Sequence, residues 1–243
     1  MSTEIQLLAI TAASVGFFHT LAGPDHYLPF IVMAKARKWP AAKTVWITLA
    51  CGLGHVLSSV VLGSIGVAFG LALVKLELIE SFRGDIAAWF LTAFGFTYLI
   101  WGLHRAIKNR FHTHIHMHEN SDFHTHEHNH RDEHVHVHEG KALRQCSGQV
   151  NITPWILFTI FIFGPCEPLI PILMYPAARE SVLGILIVGS VFALATIGTM
   201  LVIVTASLQG IAMLPAKMLG RYTHVFAGGT IFLCGLAIIF LGL

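Results

Sequence analysis

The sequence predicts an all-α integral membrane protein with six transmembrane helices, and its composition leads to that class. Of the 243 residues, 55% are hydrophobic and only 12% are charged. Soluble domains carry about twice that share of charge. Many of the charges also fall in one segment, residues 105–150, which leaves the rest of the chain too apolar for a soluble globule of its size. The composition likewise excludes a disordered or collagen-like chain.

Six apolar stretches approach or exceed the length of about 20 residues that a helix needs to cross a bilayer. They cover roughly 5–34 with an interruption, 44–73, 86–103, 152–177, 182–207 and 223–243. Since no Lys or Arg precedes Lys35, no cleavable signal peptide is expected. The polar segment divides the chain into a first three-span half, 1–104, and a second, 151–243.

Lysine and arginine are distributed unevenly among the predicted loops. The loops after the first, third and fifth spans hold most of them, and the opposite side holds only Lys75, Arg83 and Arg179. Positive residues are retained on the cytoplasmic side of a membrane. We therefore expect a multi-pass protein of the cytoplasmic (inner) membrane, with both termini outside, segment 105–150 in the cytoplasm and every Lys and Arg outside the spans.

A short internal repeat relates the two halves. The sequence Gly-Pro-Asp-His at residues 23–26 and the sequence Gly-Pro-Cys-Glu at residues 164–167 are each followed by a similar apolar run in the first span of a half. Because each half has three spans, the halves are predicted to be inverted repeats, an architecture typical of secondary transporters. Gly-Pro interrupts helical hydrogen bonding, so the first helix of each half should be broken. Two kinks that serve packing alone are the alternative.

Ionisable side chains gather around these two motifs. A charge near the bilayer centre costs about 2.5–3.5 kcal/mol and is retained mainly where it pairs, binds a cation or relays protons. Imidazole, carboxylate and thiolate groups together suit Ni²⁺, Co²⁺, Zn²⁺, Fe²⁺ or Mn²⁺. The candidate metal ligands are His19, Asp25, His26, His55, Cys166 and Glu167. Hydrogen-bonded structural histidines at His19 and His55, and a packing cysteine at Cys166, are the alternatives.

Eleven of the sixteen histidines lie in the polar segment, where most alternate with other residues. They are His112, His114, His116, His118, His124, His126, His128, His130, His134, His136 and His138. The segment lacks apolar periodicity, so we expect a cytoplasmic loop that is disordered without metal. Closely spaced imidazoles predict that it buffers or senses transition metals. A pH-responsive charged loop and a solvated spacer are the alternatives.

The run from His19 through Asp25 to His26 resembles the His…Asp-His signature of the nickel/cobalt transporter family of the lysine-exporter superfamily. Residues 53–61, which begin Leu-Gly-His-Val, resemble the second motif of that family. The resemblance implies a metal-site role for His19, Asp25, His26 and His55, and the histidine-rich loop is similar to that of the nickel/cobalt exporters. Five residues separate His19 from Asp25, where the uptake permeases typically have four, and those permeases have eight spans. Metal identity and transport direction therefore stay open.

These observations predict a secondary transporter of a divalent transition metal, nickel or cobalt first, and not an enzyme. Efflux is favoured over uptake because the histidine loop samples the cytosol. The sequence has no Gly-x-x-x-x-Gly-Lys-Ser/Thr loop, so a gradient or another subunit would supply the energy. The expected partners are the lipid bilayer and metal ions. Neither nucleic acid nor a resident cofactor is expected, and a homo-oligomer is left open.

Two other functions stay open at this point. The run Pro-Cys-Glu-Pro at residues 165–168 resembles the Pro-Cys motifs of membrane thiol–disulfide electron carriers used in cytochrome c maturation. Those carriers need one reactive cysteine in each half. Here the matching position in the first half is Asp25, and Cys51 could take its place only if the helices bring it close to Cys166. An exporter of small anions such as sulfite, on a related scaffold, would need buried cations, which the sequence does not predict.

Overall fold

The structure is a computed structural model. It describes residues 3–69, 73–108, 112–117, 123–128, 152–164, 166, 168–178, 182–212, 220 and 222–242. Its helices are α1 (Thr3–Ala22), α2 (Leu28–Arg37), α3 (Ala41–Ala68), α4 (Leu73–Lys108), α5 (Thr153–Phe163), α6 (Leu169–Ala178), α7 (Val182–Ala212) and α8 (Thr223–Leu241). A 3₁₀ turn, Pro24–His26, joins α1 to α2. These residues are helical throughout except for the connections and one β-hairpin.

Within the described residues, five helices are long and apolar enough to cross a membrane, as in a multi-pass membrane protein. They are α1, α3, α4, α7 and α8. The predicted stretch 152–177 is divided between the short helices α5 and α6. The predicted stretch 86–103 was too short, because α4 already begins at Leu73 and has 36 residues. The first turns of α4 contain charged side chains, so this part of the helix is not recognised as an apolar run in the sequence.

Both Gly-Pro motifs coincide with helix breaks, as predicted. The first break lies between Ala22, where α1 ends, and Leu28, where α2 begins. The second lies between Phe163 and Leu169, with Gly164 as the C-cap of α5. Proline lacks an N–H group and its ring clashes with the carbonyl one turn earlier, so a regular helix does not continue through either motif.

The helices make reciprocal contacts. Helix α1 packs on α7 and α3 packs on α5, while α2 contacts α7 and α6 contacts α3. Helices α4 and α8 lie against each other in opposite directions, with small residues at the crossing. The close approaches along this pair are Gly95 to Phe232, Gly102 to His224, Gly228 to Leu99 and Gly235 to Thr92. Glycine at these positions lets the two backbones meet without intervening side chains.

Two buried apolar clusters flank the breaks. The larger includes Phe30 of α2 and Phe161 of α5, whose ring centroids are 4.7 Å apart. The smaller includes Cys166, Leu169 and Phe192, and joins the second break to α7. Many large apolar side chains point away from both clusters and are exposed, as expected for surfaces that face lipid.

The polar segment contains two paired strands, β1 (His112–Met117) and β2 (Phe123–His128). They are antiparallel, and the backbone of His112 lies opposite that of His128. The other histidines of the segment lie outside the described residues: His118, His130, His134, His136 and His138. Metal buffering by this segment, and its disorder without metal, stay predictions.

Adjacent glycines in α8 provide a test of the α4–α8 contact. A Cβ atom at Gly228 would lie 2.3 Å from the backbone nitrogen of Leu99, whereas the nearest atom to a Cβ at Gly229 is Leu99 Cδ1 at 3.9 Å. We expect Gly228→Ala to separate the helices and to destabilise the protein by about 1–3 kcal/mol. The matched Gly229→Ala variant should unfold like wild type. Thermal unfolding in detergent measures both, and equal midpoints for the two variants would contradict this packing.

Candidate metal centre

Three histidines from different elements converge inside the bundle. His19 lies near the end of α1, His26 in the 3₁₀ turn and His55 in the middle of α3. The ring centroids of His19 and His26 are 4.9 Å apart, and those of His26 and His55 are 5.2 Å apart. On a straight helix His19 and His26 would be separated by about 10 Å. The break between α1 and α2 therefore creates the cluster.

The spacing of the rings suits a single ion. Each histidine offers one ring nitrogen, and the three nitrogens lie within 4.8 Å of one another. An ion at the centre of this triangle lies at most about 2.8 Å from each nitrogen, so each has less than about 1 Å to move to reach an imidazole–metal bond of about 2.0–2.1 Å. Side-chain adjustments of that size need no movement of the helices.

Hydrogen bonds fix the orientation of two of the rings. Nδ1 of His26 lies 3.1 Å from both the Gly23 carbonyl oxygen and Oδ1 of Asp25, and Nδ1 of His55 lies 3.3 Å from the Phe161 carbonyl oxygen. A backbone carbonyl only accepts, so Nδ1 donates in both rings and, in the neutral rings, Nε2 keeps its lone pair.

The opposite nitrogen of each ring is buried without a partner. The Nε2 atoms of His19, His26 and His55 are all inaccessible to solvent and have no hydrogen-bond partner among the described residues. A buried polar atom left unpaired costs about 1–3 kcal/mol. Three such atoms in one place indicate a site that is completed by a ligand, and an unprotonated imidazole nitrogen is a metal ligand.

Both helix breaks lie directly against the rings. A Cβ atom at Gly23 would lie 2.6 Å from Nδ1 of His26, and one at Gly164 would lie 3.0 Å from Nδ1 of His55. The backbone at Gly23 has a φ of −87°, which any residue can adopt. Glycine is therefore needed at Gly23 for the close approach of the imidazole, and not for its conformational freedom.

The structure places the other predicted ligands differently. Asp25 contacts His26 at Nδ1, away from the unpaired Nε2, so its carboxylate orients the ring from behind. Cys166 is fully buried in the smaller apolar cluster. Among the described residues, its sulfur does not belong to the group of mutually close ligand atoms that the three histidines form. Glu167 lies outside the described residues. The arrangement of Asp25 matches the outer carboxylates that commonly fix metal-binding histidines.

A cavity of about 490 Å³ leads to the histidines. Its walls come from both breaks, from the first half of α4 and from the last turn of α8. The part of the cavity farthest from the three rings is lined by Ser81 and Asp85 of α4 and by Gly242, which follows α8. The cavity thus extends from the three rings towards the end of the bundle where α4 begins and α8 ends.

Sequence reasoning missed a buried ion pair next to the site. Arg83 lies inside α4 with only 16% of its side chain exposed, so the prediction that every Lys and Arg lies outside the spans is wrong. Its guanidinium pairs with Glu80, whose side chain is fully buried. The signal that could have revealed the pair is the i, i+3 spacing of opposite charges, which places Glu80 and Arg83 on one helix face.

The donor set defines what this centre can hold. Three imidazoles with a carboxylate behind one of them suit Ni²⁺, Co²⁺, Zn²⁺, Cu²⁺ or Fe²⁺ and are too soft for Mg²⁺ or Ca²⁺. Structural zinc sites are closed by four protein ligands, whereas three ligands leave a coordination position for water or exchange. The geometry is therefore that of a candidate transition-metal site with an open coordination position.

Comparison with known proteins adds no assignment. Protein-family models, curated proteins and solved structures give no match to this chain. The functional assignment depends on the residues and their geometry.

The role of Asp25 can be separated from that of a ligand. We expect Asp25→Ala to weaken Co²⁺ binding by about 10- to 100-fold, because His26 loses the carboxylate that orients it. Asp25→Asn retains an oxygen acceptor and should fall between this variant and wild type. Calorimetric titration measures the affinities, and X-ray absorption of bound Co²⁺ should show the same nitrogen ligands in all three proteins. Loss of an oxygen ligand in Asp25→Ala would instead make Asp25 a direct ligand.

Proposed function

We propose that this chain is a secondary transporter that moves a divalent transition metal, nickel or cobalt first, across the cytoplasmic membrane. The observation that carries the proposal is the convergence of three histidine rings at a helix break inside an apolar bundle, each with a buried Nε2 atom that has no partner among the described residues. Broken helices near the membrane midplane form the substrate sites of many secondary transporters. The open coordination of the three-histidine centre favours a transported ion over a permanently bound one.

The helix contacts support a six-span inverted repeat. In this reading α1 with α2 forms the first span, and α5 with α6 forms the fourth. Exchanging α1–α4 with α5–α8 converts the α1–α7 contact into α5–α3, and the α2–α7 contact into α6–α3, and all four contacts are present. Helices α4 and α8 exchange with each other and lie antiparallel, as a two-fold axis in the membrane plane requires.

One-sided access to the centre supports alternating access. The cavity extends towards the end of the bundle where α8 ends. At the opposite end, the Arg37 guanidinium lies 5.3 Å from the Tyr98 ring centroid and 5.4 Å from that of Trp101. Arg105 also covers Trp101, and the Tyr98 hydroxyl bonds Nδ1 of His224 at 2.9 Å. With the orientation expected from the positive residues, the cavity lies on the outer side of the centre and this group covers the cytoplasmic side.

The alternative functions have less support. Cys51 belongs to the larger apolar cluster and Cys166 to the smaller one, so the two thiols do not share a site suited to thiol–disulfide exchange. An anion exporter needs an unpaired buried cation, and the positive charge of Arg83 is neutralised by Glu80. Transport of a cation by neutral imidazole ligands requires neither a pair of neighbouring thiols nor an unpaired buried cation.

Metal flux into proteoliposomes tests the proposal. We expect His26→Ala and His55→Ala to reduce the initial rate of Ni²⁺ or Co²⁺ flux to that of empty vesicles, since each removes one of three ligands. His104→Ala is the matched control, because His104 is an exposed histidine on α4 away from the cavity, and it should transport like wild type. Equal flux of nickel, cobalt, zinc and iron in protein-containing and empty vesicles would overturn the proposal.

The histidine-rich segment is expected to act outside the transport path. A variant without residues 112–138 should retain flux in proteoliposomes, whereas Asp25→Ala should lower it. In cells that express the protein, the deletion should reduce metal tolerance only at low metal concentrations. There the buffering histidines would help the protein to capture metal ions from the cytosol. If the deletion stops flux as fully as His26→Ala does, the buffering role is wrong and the segment supplies ions directly to the centre.

A further inference from the structure

A buried ion pair outside the metal centre is unusually well bonded. The Glu80 side chain is fully buried and Arg83 is 16% exposed. Glu80 accepts hydrogen bonds from Ser59 Oγ, from the backbone nitrogen of Cys166 and from Arg83. Removing two charges from water carries a large free-energy cost for each ion, and apolar side chains of similar size often stabilise a fold as well or better. Stability alone is therefore a poor explanation for this pair.

The pair connects α4 to both structures that hold His55. On α3 it bonds Ser58 and Ser59, which follow His55 by about one helical turn. At the second break it bonds the Ile162 carbonyl oxygen, 2.8 Å from Nη2 of Arg83, and the Cys166 nitrogen, 3.0 Å from Oε1 of Glu80. These are backbone groups that the interrupted helix leaves without helical partners.

The groups that Glu80 and Arg83 bond lie next to the groups that orient the His55 ring. Ile162 follows Phe161, whose carbonyl oxygen accepts the Nδ1–H of His55. Ser58 donates to the His55 carbonyl oxygen at 2.8 Å and accepts from Arg83 at 2.9 Å. Movement of the second break relative to α3 would therefore turn the His55 ring away from His19 and His26.

We infer that Glu80 and Arg83 are positioning residues of the metal centre, which hold the second helix break against α3 so that His55 reaches the common ion. They do not touch the ion themselves. The inference rests on the proposed function, since it assigns a role in the same site. It also explains why a full ion pair is buried one layer away from neutral ligands.

Metal affinity measured beside thermal stability tests the inference. The full chain, purified in detergent, is titrated with Co²⁺, and its absorption spectrum and unfolding midpoint without metal are recorded. Glu80→Gln loses the charge, and Arg83→Lys loses the planar fork that joins Glu80, Ser58 and Ile162. We expect both to bind Co²⁺ about 10- to 100-fold more weakly, with a changed spectrum. Glu77→Gln, an exposed carboxylate on the same helix, is the matched control and should behave like wild type.

A double variant keeps the test informative if the single variants fail to fold. Glu80→Met with Arg83→Met replaces the pair by apolar side chains, which preserve folding but provide no partner for Ile162 or Cys166. We expect a folded protein with weakened Co²⁺ binding. Wild-type affinity and spectrum in folded pair variants would overturn the inference while leaving the proposed function intact. A wild-type chain that binds Co²⁺ no better than His26→Ala would instead contradict the proposed function.

Discussion

The structure depends on one constraint: a helix that is interrupted inside an apolar bundle leaves backbone groups that need partners. At the first break the Gly23 carbonyl oxygen receives Nδ1–H of His26, and at the second the Phe161 carbonyl oxygen receives Nδ1–H of His55. Because each imidazole donates from Nδ1, its Nε2 lone pair points elsewhere. The carbonyl oxygens at the breaks, which also accept backbone N–H groups, therefore orient the rings as ligands.

The two carboxylates near the centre act through other groups. Asp25 supports the His26 ring, and Glu80, with Arg83, holds the backbone that supports the His55 ring. Because Arg83 neutralises Glu80, Asp25 supplies the net negative charge, one layer away from the ion position, where it favours a cation without enclosing it. Such an arrangement suits a site that must release its ion as readily as it binds, because direct carboxylate ligands would add strong Coulomb attraction at low dielectric.

The sequence was enough to predict the two helix breaks and the three clustered histidines, because the breaks and the histidines both follow from local chemistry. Gly-Pro interrupts a helix wherever it stands, and a histidine in an apolar stretch needs a partner. The same reasoning did not find Glu80 and Arg83, since their burial depends on where α4 lies against α3 and the second break. It also did not separate Asp25 as an orienting group from Asp25 as a ligand. That distinction depends on which ring nitrogen of His26 the carboxylate contacts, and the spacing of residues along the chain does not determine this.

The neutral ligands have a consequence for the effect of voltage on transport. With Asp25 ionised, the empty centre carries one negative charge, and a divalent ion converts this to one positive charge. Moving one elementary charge across the membrane changes its electrical free energy by about 2.3 kcal/mol per 100 mV of membrane potential. In a cell with a negative interior, outward movement of the loaded centre and inward return of the empty one are both opposed. In the proposed transport cycle, export by this centre would therefore work against the membrane potential, whereas import would be driven by it.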